Sequence, residues 1–281
     1  MSTLTINTLT PSMGAEISGI GLDQLLHDDT VPELIWNALR EHGVLLFHDL
    51  GFTPDTQLQF SERLGTLDRT NGEQYNEPGI QRVSMDPKKN GGQETVRGTF
   101  NWHMDGCTLP AEKNPSPATI LTCAVTSETG GQTEFASTRA FFDSLSSDEK
   151  DRLSAMRVVH SVAGSRRRVI PNPTPEQEQA WAAMQSREHP MVWRHREGRP
   201  SVIIGGTSDY IVGMGKDESR LFLDDLVARA TTPDRVYSHE WSVGDTVIWD
   251  NPGMLHRVQP YEDGSAREMI RCTLVGEEPT E

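Results

Sequence analysis

The chain has 281 residues, 35% of them hydrophobic and 24% charged, with a formal net charge of −15. That is enough apolar content to bury a core and unlike the composition of a disordered tail. A surface so negative repels nucleic-acid phosphates and anionic lipid head groups, which excludes general binding to either and still allows a local arginine cluster to hold a small anion. The 17 prolines and 24 glycines call for many turns, favouring short strands joined by loops over a helix bundle.

The three cysteines, Cys107, Cys123 and Cys272, are odd in number and widely spaced, with no CxxC pair. Neither a disulfide framework nor a thiolate zinc site is expected. The first residues lack a basic region followed by a long apolar stretch, so no signal peptide or membrane span is predicted and the cytoplasm is the default compartment.

Alternating polar and apolar residues over 4–20, with Pro11 and Gly14 between, predict an opening hairpin. Thr30 and Glu33 around Pro32 read as a capping box for a helix whose buried stripe is Leu34, Ile35, Ala38 and Leu39, ending at Gly43. Val44 to Phe47 is a core-strand run, and a second helix from Pro54 carries Leu58, Ser61 and Leu64 on one face before Gly65. The apolar-poor stretch over 68–100 reads as an active-site lid, with a plain surface insertion as the alternative.

Residues 118–126 form a buried-type strand, and Gly130-Gly131 turns the chain into Thr133 to Ala136. Helices are predicted through Ala140 to Leu145, from Ser146 with Glu149, from Thr174-Pro175 with Gln177, and over Asp217–Ala230. Further strands are expected at Val158–Val162, Met191–Arg194, Ser201–Ile204, Val236–Trp241, Thr246–Trp249, Leu255–Val258 and Met269–Val275. No repeat or low-complexity linker divides the chain. We therefore expect one domain over 1–281, mainly β, a sandwich or jelly roll with helical additions.

The first chemical signal is Asn101-Trp102-His103-Met104-Asp105. On a strand, residues two apart share a face, so His103 and Asp105 would project into one pocket. A third ligand would complete the two-His-one-carboxylate set of non-haem iron(II) oxygenases, with three coordination positions free. A bare His-x-Asp pair is weak alone. His256 is the best third candidate, because it follows a turn, a buried strand and a polar loop 151 positions after Asp105. Taken singly it reads as a loop or core histidine, and His160 reads as a core histidine.

Arg267 and Arg271 are four apart on a predicted strand, so they share a face. Burying both is costly unless an anion meets them, and a guanidinium suits a carboxylate. The alternative is a solvent-facing edge strand. Arg166-Arg167-Arg168 reads as a solvated basic turn, and Lys88-Lys89 as solvated. Trp102 and Trp249 read as core packing, and Cys107 carries no role.

These pieces together resemble the TauD/TfdA family of iron(II)- and 2-oxoglutarate-dependent dioxygenases. The likeness runs from Gly14-Ala15-Glu16-Ile17 to Arg271 through Trp102-His103-Met104-Asp105, Gly130-Gly131-Gln132-Thr133, and Trp249-Asp250-Asn251 with His256. It implies a double-stranded β-helix core, iron(II) on His103, Asp105 and His256, and O2 and 2-oxoglutarate as co-substrates. It also implies that Thr133 and Arg267 hold the distal carboxylate of 2-oxoglutarate, with Arg271 near both co-substrate and substrate. The expected reaction is hydroxylation of a small organic acid with release of succinate and CO2. Asp105 fills the position that halogenating relatives leave open.

Departures from the taurine-cleaving pattern argue against taurine. Leu67-Asp68-Arg69-Thr70-Asn71 lacks a histidine, Thr99 stands where those members have asparagine, and Gly106 follows Asp105. The glycine is expected to leave room beside the metal. Gly198-Arg199-Pro200-Ser201 and Trp249-Asp250-Asn251 look closer to members acting on aryloxyalkanoates. Two other readings stand: a non-catalytic jelly-roll protein binding a metal or organic acid, and a zinc or manganese hydrolase on the same ligands. A homo-oligomer is compatible with the sequence.

Overall fold

A computed structural model describes residues 4–89, 93–196 and 198–280. In chain order, β1 (Thr5–Thr8) and β2 (Ala15–Ser18) form the opening hairpin, followed by α1 (Leu22–His27), α2 (Val31–His42), β3 (Val44–Phe47) and α3 (Pro54–Leu64). Next come β4 (Gln81–Ser84), α4 (Gln93–Gly98), β5 (Ala118–Val125), β6 (Thr133–Ser137), α5 (Thr138–Ser144) and α6 (Ser147–Ser154). The middle of the chain holds β7 (Arg157–Ser161), α7 (Val162–Val169), α8 (Pro175–Ala182), β8 (Ser186–Pro190), β9 (Val192–Trp193), β10 (Ser201–Val202), β11 (Ser208–Ile211) and α9 (Lys216–Ala230). The last part supplies β12 (Val236–His239), β13 (Thr246–Asp250), β14 (Met254–Val258) and β15 (Glu268–Thr273).

Two sheets make the jelly roll. The larger runs β1-β2-β3-β13-β5-β15-β4 and the smaller β12-β6-β14. Period-two alternation gives each central strand two buried faces. On the larger sheet Leu45, Phe47, Ile120, Ile248, Ile270 and Cys272 join the core beneath α1, α2 and α3. Their neighbours Val44, Leu46, Leu121, Cys123, Val247, Trp249 and Met269 join Phe135 and Met254 of the smaller sheet. That second cluster is the inside of the sandwich, and odd-numbered residues of β15 point into it.

Several local expectations need correction. Thr30 does not cap α2; its hydroxyl donates to Asp28 Oδ1 at 2.7 Å, and its backbone is already helical. Leu34 is exposed, and Val31 replaces it in the stripe with Ile35, Ala38 and Leu39. The 68–100 stretch is not all loop. It contributes β4 to the edge of the larger sheet through register with β15, then α4; residues 90–92 of it lie outside the described residues. Arg166, Arg167 and Arg168 lie on α7 and not on a turn, and they pair with Glu94, with Glu178 and Asp209, and with Asp224. Lys89 is paired with Glu268.

Candidate active site

The site forms where the inner faces of the two sheets meet. On β14, Met254, His256 and Val258 alternate inward; on β6, Thr133 and Phe135 do the same. His103 is not on a regular strand. It makes a single antiparallel bridge to His256, with backbone bonds His103 N→His256 O at 3.0 Å and His256 N→His103 O at 2.9 Å. The bridge sets the imidazole rings 4.1 Å apart, with the His256 ring also 4.8 Å from Trp249.

Asp105 follows on a turn, with His256 Nε2 3.6 Å from Oδ2 and His103 Nε2 4.0 Å from Oδ1. One potential ligand atom from each of His103, Asp105 and His256 falls within 4.8 Å of the others, and no other such trio occurs among the described residues. Two ligands about 2.1 Å from one ion can be no farther apart than about 4.2 Å, so each carboxylate–imidazole pair is within reach of a shared metal.

The donor chemistry also fits a divalent ion. His103 Nδ1 donates to Asn101 O at 2.9 Å, since a carbonyl can only accept. The Nε2 lone pair is thereby left for the metal. Burial drives the His103 pKa down and pushes that of His256 down to about 3, so both imidazoles are neutral. Burial alone would raise Asp105, but the Arg271 guanidinium overrides it and holds the carboxyl well below the usual range.

Beside the trio a small cavity is lined by Thr133, Leu121, Val258, Arg267, Met269 and Arg271. Arg267 lies one residue before β15 and is 3% exposed; its Nη2 donates to Gly131 O at 3.1 Å and its guanidinium lies 5.0 Å from the Tyr261 ring. Gly131 has φ +80°, and a Cβ there would sit 2.3 Å from Ser127 Oγ and 3.0 Å from Arg267 Nε. Only glycine lets the turn pass so close to the guanidinium.

A larger cavity of about 370 Å³ opens on the other side of Asp105 and Arg271, with Asp68, Asn71, Gln81, Gly106 and Lys113 on its wall. Arg271 borders both spaces. Its Nη2 donates to Asp105 Oδ2 and its Nη1 to Gln81 Oε1 at 3.1 Å. Gly106 lies on this wall with φ +80°, and its Cβ would lie 3.0 Å from Pro115 Cα and 3.3 Å from Leu109 Cδ1. The glycine serves a turn and a close backbone approach.

A family model described as taurine catabolism dioxygenase TauD, TfdA family matches residues 5–273. The chain belongs to the TauD/TfdA family. It is therefore a 2-oxoglutarate-dependent non-haem iron dioxygenase, using iron(II), 2-oxoglutarate and O2. It is 32% identical over 282 residues to the alpha-ketoglutarate-dependent 2,4-dichlorophenoxyacetate dioxygenase of Cupriavidus pinatubonensis, covering 95% of this chain and 96% of that one. It is 28% identical to the (S)-phenoxypropionate/alpha-ketoglutarate-dioxygenase of Sphingobium herbicidovorans, covering 98% and 96%. The crystal structure of AAD-2 in complex with Mn(II) and N-oxalylglycine superposes with a TM-score of 0.82 at 28% identity, covering 99% of this chain and 100% of that one.

In this TauD/TfdA chain the residues expected at the site, His103, Asp105, His256, Thr133, Arg267 and Arg271, come together, and further residues orient them. Gln81 steadies Arg271 from a strand too polar to be seen as one. Asn251 accepts from Trp249 Nε1 at 2.8 Å and donates to Thr119 Oγ1 at 3.0 Å, fixing the turn that leads to His256. Trp241 Nε1 donates to Thr133 Oγ1 at 2.9 Å. Nothing local in the sequence marks these roles, since each depends on a partner between 108 and 190 positions away or on the shape of a turn. Trp102 and Trp249 are buried as core residues, and the Cys107 thiol is pushed up to about 12 by burial, consistent with an inert side chain. Among the described residues no helix is long and apolar enough to cross a membrane.

Proposed function

We propose that His103, Asp105 and His256 hold the iron, that Thr133 and Arg267 take the distal carboxylate of 2-oxoglutarate, and that the enzyme hydroxylates a small carboxylic acid of the aryloxyalkanoate kind. The observation that carries this reading is a division of space. A small cavity with a buried guanidinium, unpaired with any carboxylate among the described residues, lies on one side of the trio, and a larger one bordered by Arg271 lies on the other. Arg267 is costly to bury unless an anion meets it. Thr133 adds a hydroxyl, which suits one end of a dicarboxylate. Arg271, held by Asp105 and Gln81 at the border of the larger cavity, is the group we assign to the acid end of a substrate there.

Bound iron supplies the activation of O2 that oxidises a C–H bond. The protein's part is orientation and exclusion of water: Leu121, Val258 and Met269 wall the small cavity, and the half-buried Asp105 and buried His256 limit water on the metal side. One O2 and one 2-oxoglutarate yield CO2, succinate and a hydroxylated product. Hydroxylation at a carbon bearing an ether oxygen would give a hemiacetal that collapses with cleavage of the bond. Names of relatives acting on phenoxy acids favour that class, as does the absence of histidine in the Leu67 to Asn71 stretch. We assign the 68–100 stretch the role of lid over the larger cavity, which Asp68, Asn71 and Gln81 already line, and we place the enzyme in the cytoplasm.

Anaerobic addition of iron(II) and 2-oxoglutarate should produce a weak visible charge-transfer band, absent in His103→Ala and Asp105→Ala. A panel of aryloxy acids, sulfonates and simple carboxylates should then show stimulated succinate release with the aryloxy acids foremost. A band that persists in both variants would sink the ligand assignment, and stimulation by sulfonates alone would sink the substrate class.

A further inference from the structure

Thr133 is 4% exposed and sits in the middle strand of the smaller sheet, in register with His239 on one side and Val258 on the other. Its backbone is therefore committed to the ladder, and its hydroxyl is the group left for recognition. A threonine hydroxyl is one donor and two acceptor lone pairs, and without constraint it rotates to suit whatever it meets. Here it is not unconstrained. The indole N–H of Trp241, which can only donate, reaches Thr133 Oγ1 at 2.9 Å from outside the small cavity, whose lining includes Thr133 and Arg267 but not Trp241. The indole is in turn held edge-on against His239, with ring centroids 4.5 Å apart. His239 Nε2 lies 3.2 Å from the buried Asp245 carboxylate, which also accepts from Ser242 N at 2.9 Å.

We propose that Trp241 is a positioning residue that fixes Thr133 as a hydrogen-bond donor and so makes the co-substrate pocket selective for a carboxylate over its neutral isosteres; this rests on the reading that Thr133 and Arg267 receive the distal end of 2-oxoglutarate. With one lone pair taken by the indole, the hydroxyl proton is kept off the side facing Trp241, and orientations that aim it at the cavity are favoured over those of an unrestrained hydroxyl. Arg267 brings donors and no acceptor. The pocket then offers donors from both sides, which suits a group that only accepts. A carboxamide in the same place brings its own N–H groups and needs an acceptor, which Thr133 could supply if its hydroxyl were free to turn. Donation from Trp241 also polarises the O–H and strengthens the bond it makes to an anion.

The test is a steady-state series on the iron-loaded enzyme with 2-oxoglutarate and with its C5 amide. Trp241→Phe should raise the KM for 2-oxoglutarate about 5-fold, lower kcat far less, and narrow the preference for the acid over the amide. Thr133→Val should raise the KM by itself, and adding Trp241→Phe to it should change nothing further. Benzothienylalanine at position 241 alone keeps the bicyclic volume and replaces N–H by sulfur; it should reproduce the phenylalanine variant should that variant fold poorly. A raised KM in Thr133→Val with an unchanged KM and unchanged acid–amide ratio in both Trp241 replacements would overturn the proposal and leave the pocket assignment standing. No effect in Thr133→Val would remove the assignment and the proposal together. Additive effects of the two substitutions would show Trp241 acting by some route other than the hydroxyl, which also overturns it.

Discussion

His103 and His256 are fastened to each other through their backbones, each N–H donating to the other's carbonyl, at 3.0 and 2.9 Å. The bridge extends the smaller sheet by one residue and points both rings to one side, where Asp105 meets them. A metal bound there would join a turn to a strand in the folded state and have no equivalent site in the unfolded chain. Iron(II), or manganese(II) as a redox-inert substitute, at about 100 times its dissociation constant should raise the unfolding free energy by about 2.7 kcal/mol. In Asp105→Ala the stabilisation should vanish. Thermal melts with and without metal decide it, and equal metal-induced shifts in wild type and variant would place the ion elsewhere.

Arg267 is 3% exposed; among the described residues its guanidinium pairs with no carboxylate and meets Gly131 O and the Tyr261 ring. A charge-assisted hydrogen bond contributes about 1.5–3 kcal/mol, so Arg267→Ala should raise the 2-oxoglutarate concentration needed for half-maximal succinate release roughly 10- to 100-fold. The KM for the substrate acid should move much less. A reversed pattern would exchange the roles assigned to Arg267 and Arg271.

Acid should unfold the protein through its histidines. Burial lowers His160 to about 3, His189 to about 4 and His195 to about 3. Each remains neutral in the fold while its unfolded counterpart takes a proton below about 6.5. The unfolded state therefore binds more protons, and stability falls as the pH falls from about 6.5 towards 4. Each histidine should contribute on the order of 1 kcal/mol per pH unit in that window. Asp105, with its pKa depressed, acts with the same sign but only below about pH 4, where its unfolded counterpart takes a proton, so the slope above that pH belongs to the histidines. Urea titrations at pH 7, 6 and 5 should give a declining unfolding free energy; a flat profile would contradict the buried neutral state of these rings.

Gly106→Ala distinguishes a glycine kept for substrate room from one kept for backbone reasons. At φ +80° with Pro115 Cα 3.0 Å from the added Cβ, the variant should lose about 1–2 kcal/mol of stability from the left-handed conformation, with more from the contact. Its ranking of substrates should stay as in the wild type once it is assayed below its melting temperature. An altered ranking with unchanged stability would restore the idea that Gly106 makes space beside the metal.

The strands of the jelly roll were legible because β3, β5 and β13 carry mainly apolar runs, buried on both faces. The trio was legible because His103 and Asp105 are local and His256 follows a recognisable turn. What escaped was held by charge. Gln81-Arg82-Val83-Ser84 has little apolar content, yet it pairs as β4 because Arg82 reaches both Glu77 and Glu268. Likewise α7 begins at Val162 directly after a strand, with Ser161 as its cap and three arginines that look solvated until their partners are in place. Ion pairs between distant residues leave no periodicity to read. The bridge at His103 escaped for a different reason: a one-residue pairing has no pattern at all.

Glu268 accepts Arg82 and Lys89 at once, immediately after Arg267 in the chain. The stretch around β4 is thus tied to the start of β15 by electrostatic attraction. Such a fastening weakens in concentrated electrolyte, while apolar seals tighten in the salting-out range. Ionic strength is therefore expected to act on how firmly β4 and Lys89 are held, more than on the apolar body of the molecule.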